Sequence, residues 1–348
     1  MRLVNIKNVT ADMKLAKPIF HNDNIMLNTG CNNLPQYTER LKDMNINHIY
    51  VEDEKSKEIE VKDIIKENTR RKCKRIVRET FQQTSLRNSV NETAVKNIVE
   101  EIIDEILLNN NLVVNLLDIK SSDSYTFDHS VNVTTLSILL GKTMNLNRKK
   151  LLKLGLGAIL HDVGKTLIPE RILKKERKLT DDEFKIIKKH PELGNKHIKK
   201  NTQIGAVSRA IIRQHHENYD GSGYPRGKKG EDIHLFARIT AVVDVYDALT
   251  SDRCYRSKWP VPRAMSFILS QAEEKFDPRV VNCFFRNIAI YPNGTKVVLS
   301  NGRKALVKEQ NENFPMRPVI KIIDGPDGTT KTINLVNNLD LVIEDVIY

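Results

Sequence analysis

Residues 151–165 have the sequence LLKLGLGAILHDVGK, and this segment decides the fold that we predict. Leu151, Leu154, Ala158 and His161 recur at steps of three and four residues, so in an α-helix they lie on one face. Asp162 follows His161 directly and therefore lies beside that face. The pattern indicates a helix that directs a histidine and an aspartate towards the interior of a helical bundle.

Similar polar residues recur along the chain at intervals of about 25–32 residues, which is the length of one helix and one connection. One of them, Asp244, lies in the apolar stretch 239–246, where a lone carboxylate would cost several kcal/mol unless it were paired or bound to a metal. We therefore predict a mainly α fold in which each helix delivers one or two such side chains inward. The series comprises His129, His161, Asp162, His190, His215, His216 and Asp244.

This residue set has the chemistry of a metal centre. Imidazole and carboxylate together suit divalent Fe, Mn, Co, Ni or Zn. Five histidines and two aspartates exceed the four ligands of a tetrahedral zinc, but they suffice for two octahedral ions that share a bridging carboxylate. Two ions about 3.5–4 Å apart can activate a bridging water and clamp a phosphate.

The competing interpretation is that these histidines are ordinary core residues. A single histidine on an apolar face is more often a satisfied core residue than a ligand, and an adjacent His-Asp pair alone is a weak signal. Five histidines and two aspartates at regular helical stations favour the metal centre.

Three segments resemble those of a known family. Residues 161–165 (HDVGK) are similar to the signature of HD-superfamily phosphohydrolases. Residues 215–217 (HHE), with 220–225 (DGSGYP), resemble the segment that defines HD-GYP domains, and residues 243–256 are similar to the third block of that family. The resemblance covers about half of the chain, from residue 123 to residue 288.

The resemblance implies an all-helical domain that hydrolyses the bacterial second messenger cyclic di-GMP to pGpG or GMP. Two divalent ions, Fe or Mn, would be held by the seven residues named above, and Asp162 would bridge them. Attack on phosphorus would come from a hydroxide that bridges the ions. Lys165 would neutralise a phosphate oxygen, and the further substrate contacts implied are Gly223, Tyr224, Pro225, Arg253 and Arg256.

One position departs from part of the family. Members with three metals have a glutamate four residues before the first histidine, whereas this chain has Tyr125, so we expect two metals. Glu217 either hydrogen-bonds a ligand histidine or forms a salt bridge, and Asp247 is interpreted as structural. No ligand position corresponds to the remaining histidines, which are His21, His48, His197 and His234.

The chain divides into four predicted regions. Residues 1–55 have the pattern of a small α+β region, and residues 56–118 of two amphipathic helices broken near 86–91, which pack on the next domain or mediate a homodimer. Residues 119–288 form the catalytic domain, in which Thr180 and Glu183 predict a capped helix running to His190. A small β-rich domain at 290–348 begins with a hairpin at Asn301-Gly302.

Composition limits the alternatives. No apolar run approaches the ~18 residues that span a bilayer, and no secretory signal is visible, so we expect a cytoplasmic protein. The four cysteines are far apart and expected to be reduced. The net charge of +12 is interpreted as a basic, solvated surface, without the aromatic interleaving of nucleic-acid binders.

Two other functions stay open from the sequence. The first is a hydrolase of another cyclic dinucleotide such as cyclic GMP–AMP, because the motifs do not choose between bases. The second is a weakly catalytic signalling module whose flanking regions contact protein partners. A nucleic-acid-binding protein is a distant third, supported by net charge alone.

Overall fold

The computed structural model describes residues 1–21, 24–44, 46–108, 125–173, 175, 177–251, 258–324 and 330–347. Within these ranges a small N-terminal region of sheets is followed by a helical bundle and a five-stranded C-terminal sheet. The predicted mainly α architecture with small α+β and β-rich flanks is confirmed. None of the described helices has both the length and the apolarity needed to cross a membrane.

The N-terminal region contains two small antiparallel sheets. Strands β1 (Arg2–Asn5), β2 (Lys14–Leu15) and β5 (His48–Glu52) pair in the order β1-β5-β2, and β3 (Ile19–His21) pairs with β4 (Asn24–Leu27). Helix α1 (Thr38–Asp43) packs beside them. The apolar side chains of these elements form a separate small core that includes Leu15, Leu34, Leu41, Ile49 and Val51.

Two long amphipathic helices lead into the bundle. Helix α2 spans Glu67–Arg87 and α3 spans Glu92–Leu108, with the break at left-handed Asn88 (φ 52°). Their apolar faces are buried in the same core as the bundle helices. A homodimer through these helices stays a prediction, and it would have to use their charged outer faces.

The bundle combines long helices such as α4 and α10 with shorter ones. Thr180 and Glu183 form the predicted capping box. The helix ends at Ile187, so the prediction that it runs to His190 was wrong. His190 instead begins the following helix, because Pro191 is accommodated in a first helical turn and not in an interior one. The described helices are α4 (Tyr125–Thr143), α5 (Arg148–Ile159), α6 (Glu170–Leu173), α7 (Asp181–Ile187), α8 (His190–Asn201), α9 (Ala206–Gln214), α10 (Leu235–Thr250), α11 (Val261–Ser270) and α12 (Pro278–Asn287).

The C-terminal sheet is antiparallel throughout, with the strand order β10-β6-β7-β8-β9. The predicted hairpin at Asn301-Gly302 joins β6 to β7, and Gly302 has the left-handed φ of 77° that favours glycine. The inner face of the sheet continues the core of the bundle. The strands are β6 (Lys296–Leu299), β7 (Lys304–Glu309), β8 (Val319–Ile322), β9 (Lys331–Asn334) and β10 (Ile343–Ile347).

The described cysteines are free thiols. They are Cys31, Cys73 and Cys283, while Cys254 lies outside the described residues.

Candidate metal centre and substrate cavity

The centre is built around Asp162, which lies three residues beyond the end of α5. Its side chain is 2% exposed, and its Oδ1 lies 3.4 Å from His190 Nε2 and 3.8 Å from His215 Nε2. Its Oδ2 lies 3.4 Å from His161 Nε2. One carboxylate therefore faces three imidazoles delivered by different segments of the bundle.

The helix termini fix the orientation of those three rings. The Nδ1 atom of each ring donates to a backbone carbonyl three or four residues earlier: Ala158 O at 2.7 Å for His161, Ile187 O at 2.8 Å for His190, and Ile211 O and Ile212 O at 3.1 Å for His215. This places the proton on Nδ1 and leaves the Nε2 lone pair directed at the carboxylate. Each histidine thus has the tautomer that a metal ligand needs.

A second part of the centre is formed between α4 and α10. His129 Nε2 lies 3.1 Å from Asp244 Oδ1, and His129 Nδ1 lies 2.8 Å from Asp247 Oδ2. Asp247, interpreted as structural from the sequence, therefore orients His129 directly. Asn132 also donates to Asp247, over 2.8 Å, and sequence reasoning missed it because an asparagine in a helix carries no motif of its own.

All seven histidines and aspartates of the sequence series come together. Their ligand atoms form three overlapping groups, each with all of its atoms within 4.8 Å of one another. The groups are Asp162 with His190, His215 and His216; Asp162 with His129 and His161; and Asp244 with His161 and His215. Because the groups share members, the arrangement suits more than one ion.

The donor set fits a divalent metal. Both His161 Nε2 and Asp162 Oδ1 are buried without a hydrogen-bond partner. Such buried orphan atoms are costly and rare, and a cation placed between them would satisfy both. The mixture of imidazoles and carboxylates is also the chemistry that first-row transition metals bind.

The protonation states also suit a metal. Burial would raise the pKa of Asp162, but the neighbouring charges, Lys165 first, outweigh it and hold that pKa well below its usual range. Burial lowers the pKa of His190 to about 3, and burial with the nearby His215 holds the pKa of His216 far below its usual value. The centre thus offers a charged carboxylate at Asp162 and neutral imidazoles at His190 and His216, the forms in which these groups bind a metal.

His129 differs from the other histidines. Burial opposes a charge on its ring, but the hydrogen bonds to Asp244 and Asp247 outweigh burial and raise its pKa to about 9. The same contact, with the charge of His129, holds the pKa of Asp244 well below its usual range in spite of burial. A metal on Nε2 would take the place of the proton that now joins His129 to Asp244.

Lys165 lies at the mouth of the centre. Its Nζ is 2.5 Å from Asp162 Oδ2, and about a third of its side chain is exposed to the adjoining cavity. The same ammonium group can therefore contact both the centre and a bound anion.

The loop after α9 covers one side of the centre. The rings of Tyr224 and His216 are stacked with centroids 4.8 Å apart and an interplanar angle of 25°. Gly223 is required by close approach, since a Cβ there would lie 2.2 Å from the backbone nitrogen of Asn218. Tyr224 and Gly223 therefore both shape the loop over the histidines, next to Pro225.

Glu217 has neither of the two roles that were predicted for it. Its carboxylate accepts hydrogen bonds from the backbone nitrogens of Arg226 (2.9 Å) and Lys228 (3.0 Å), and it is 2% exposed. Among the described residues, it neither contacts a ligand histidine nor pairs with a basic side chain, so both alternatives were wrong. The glutamate instead holds the far end of the loop that carries Tyr224.

A cavity of about 1610 Å³ opens directly onto the centre. The bundle supplies His129, Asp162, Lys165, His216 and Asp244 to its floor. The wall contains further residues that sequence reasoning missed, since they belong to no motif. They are the α2 side chains Phe81, Gln82, Ser85 and Leu86 and the basic side chains Lys175, Arg177 and Lys178.

Some of the residues discussed from the sequence lie outside the part of the chain that the structure describes. Arg253 and Arg256 are outside the described residues, as is the side chain of Tyr125, and so is the side chain of His21. The other three histidines have partners away from the centre. His48 lies near Asn5 and His197 near Asn201, and His234 is the N-cap of α10.

Comparison with known proteins identifies this architecture. Residues 111–280 match the family model described as an HD domain. A cyclic di-GMP phosphodiesterase of Pseudomonas aeruginosa is 39% identical over 217 residues, which are 62% of this chain and 52% of that protein. This chain is therefore similar to HD-domain phosphodiesterases over its central part. It spans about half the length of this relative.

Two further comparisons show what this chain is similar to. A 3′3′-cGAMP-specific phosphodiesterase of Vibrio cholerae is 40% identical over 123 residues, which are 35% of this chain and 24% of that protein. The structure of an HDG"Y"P protein from Bdellovibrio bacteriovorus superposes with a TM-score of 0.50 at 18% identity, over 81% of this chain and 97% of that one. The second comparison shows that the two chains share a fold.

Proposed function

We propose that this chain is a metal-dependent phosphodiesterase that hydrolyses cyclic di-GMP to pGpG, GMP or both. The observation that carries the proposal is the convergence of seven histidines and aspartates, two of them with orphaned buried ligand atoms, at the floor of a large cavity. The named activity of the Pseudomonas aeruginosa relative supports the choice of substrate. The proposal includes a cytoplasmic location, because the proposed substrate is a second messenger inside the bacterial cell.

The proposed cofactor is a pair of divalent ions, Fe or Mn. Their ligands would be His129, His161, Asp162, His190, His215, His216 and Asp244, with Asp162 shared between the ions. Bound there, the ions would supply an activated water and positive charge for the phosphoryl oxygens.

The chain's own residues supply binding and charge. Lys165 presents its ammonium group between the centre and the cavity, where it would stabilise negative charge on a phosphoryl oxygen. The ring of Tyr224 is stacked on that of His216, and Tyr224 is proposed to stack on or hydrogen-bond with the substrate. Gly223 and Pro225 would shape that loop, and Arg253 and Arg256 are proposed as bidentate phosphate contacts.

Cyclic GMP–AMP is the second candidate substrate. The similarity to the 3′3′-cGAMP-specific enzyme of Vibrio cholerae favours it, and the charge of the two phosphates is the same in both dinucleotides. A cavity that holds one cyclic purine dinucleotide has the volume for the other. The choice would depend on contacts to the base edges.

The test is anaerobic purification, quantification of the bound metals, and a hydrolysis assay after Mn²⁺ or Fe²⁺ is restored. The panel contains cyclic di-GMP, 3′3′-cyclic GMP–AMP and cyclic di-AMP at equal concentration. We expect about two ions per chain and fastest turnover of cyclic di-GMP. Metal without turnover of any member would contradict the enzymatic proposal and favour a binding role, and faster turnover of cyclic GMP–AMP would change the substrate.

The variant Lys165→Met tests the assigned role of that side chain. It keeps most of the aliphatic stem and removes the charge, so we expect kcat to fall about 10²–10³-fold, as when one transition-state contact is lost. Metal content should stay at the wild-type value, because no metal ligand is removed. Single-turnover hydrolysis and metal quantification on the same sample measure both.

The matched control is Lys185→Met, which removes an exposed lysine paired with Asp182 outside the cavity. It should match the wild type in both measurements. Loss of metal in Lys165→Met would mean that the lysine holds Asp162 in place, and that its contact with substrate is not its main contribution.

A further inference from the structure

Helix α2, which precedes the HD domain, presents a basic stripe to the start of α4. Arg70, Lys74 and Arg78 recur at steps of four residues and so share one helical face. Lys74 Nζ lies 3.0 Å from Asp128 Oδ1, and the Arg78 guanidinium lies over the ring of Phe127 at 5.5 Å. These contacts attach α2 to the residues immediately before His129.

The third cation of the stripe reaches further into the domain. Arg70 Nη1 donates to Asn132 Oδ1 over 2.8 Å, and Asn132 Nδ2 donates to Asp247 Oδ1 over 2.8 Å. Asp247 Oδ2 in turn contacts His129 Nδ1 at 2.8 Å. A continuous series of hydrogen bonds therefore runs from α2 to the proposed ligand His129.

The burial of this series makes each contact consequential. Asn132 and Asp247 are each 4% exposed, so a lost partner leaves a polar group away from water. The amide of Asn132 can turn through 180°, and Arg70, which donates only, favours the orientation that directs the amide NH₂ at Asp247. In the opposite orientation, Oδ1 would face the carboxylate of Asp247 and repel it.

We propose that Arg70 is a positioning residue for the metal centre. From the helix outside the catalytic domain, it fixes the amide of Asn132, and through it Asp247 and the imidazole of His129. This inference rests on the proposed function, in which His129 Nε2 is a metal ligand. In this proposal α2 helps to position His129 in addition to packing its apolar face in the core.

The same helix also contacts the N-terminal region. The Arg71 guanidinium lies over the ring of Phe20 in β3 at 4.6 Å. If that region displaced α2, the movement would consequently be transmitted to His129 through Arg70, Asn132 and Asp247.

The test uses the full chain, stripped of metal and titrated with Mn²⁺. Since side chains that support metal ligands typically contribute 10–100-fold to metal affinity, and Arg70 lies one contact further out, we expect Arg70→Met to weaken Mn²⁺ binding about 10-fold. Arg70→Lys keeps a donor for Asn132 and should restore affinity to within about 3-fold of wild type. In an Asn132→Leu background, Arg70→Met should have no further effect.

The matched control is Lys72→Met, which removes another cation from α2, one paired with Glu101 and not with the site. It should bind Mn²⁺ as the wild type does, and the metal-free melting temperature of each variant reports any general loss of structure. Equal affinities in Arg70→Met and Lys72→Met would overturn the inference, as would an Arg70→Lys variant no better than Arg70→Met. Failure of the wild type to bind either Mn²⁺ or Fe²⁺ would overturn the proposed function itself, and the inference with it.

Discussion

Replacing Asp162 by asparagine is expected to abolish metal retention and to lower cyclic di-GMP hydrolysis by at least about 10³-fold. The substitution keeps the size of the side chain but removes the charge that faces three imidazoles. Loss of a shared metal ligand removes several kcal/mol of charge stabilisation, and about 4 kcal/mol corresponds to a 10³-fold change in rate. Metal content and initial hydrolysis rate are measured on the same preparation.

Asp182→Asn provides the control for this experiment. It makes the same chemical change at an exposed carboxylate on α7 that pairs with Lys185 outside the cavity. Wild-type metal content and rate are expected there. If Asp162→Asn kept full turnover at normal metal content, Asp162 would have no part in the centre, and the assignment of the bridging ligand would have to be abandoned.

The second large effect is expected for Gly164→Ala, and it is an effect on stability. A Cβ at Gly164 would lie 1.9 Å from the carbonyl oxygen of His190 and 2.7 Å from the backbone nitrogen of Gly194. Both obstacles are backbone atoms, so α8 would have to move away from the turn that carries Asp162. Forcing extra volume into a packed interior typically costs 1–3 kcal/mol, and we expect about 3 kcal/mol here.

The urea midpoint of the metal-free protein measures this loss, and the retained metal measures its effect on the site. Gly205→Ala is the matched control, because no other atom lies within 4 Å of the Cβ position there. It should change the unfolding free energy by less than about 1 kcal/mol. If Gly164→Ala had the same urea midpoint as Gly205→Ala, α8 could move away from the turn that carries Asp162 without loss of stability. The close packing of these two segments would then not define the site.

The ligand series could be predicted from the sequence because each member lies in a strongly patterned helix or immediately beside one. A histidine that shares a face with leucines is directed inward, and this holds for His161 even though α5 ends two residues before it, at Ile159, and not at His161 as the pattern predicted. Helix ends were less predictable. The capping box fixed the start of α7, but its end depends on how Pro191 enters the next helix.

The parts that the sequence did not predict depend on contacts between distant residues. Arg70 and Asn132 are 62 positions apart, and Asn132 and Asp247 are 115 apart. Glu217 was expected to serve the histidines because it is adjacent to them, yet its partners are backbone groups, which carry no sequence signal. The α2 side chains that line the cavity are likewise identified only once the helices are packed.

The backbone anchoring of His161, His190 and His215 has a thermodynamic consequence. Each ring loses its rotational freedom when the helices form, so the entropy of ordering these ligands is lost at folding and not at metal capture. Affinity for the ion is correspondingly higher, while the empty protein retains a desolvated polar cluster that adds nothing to its own stability. We therefore expect the apoprotein to be rigid at this point yet less stable than a comparable bundle with an apolar centre.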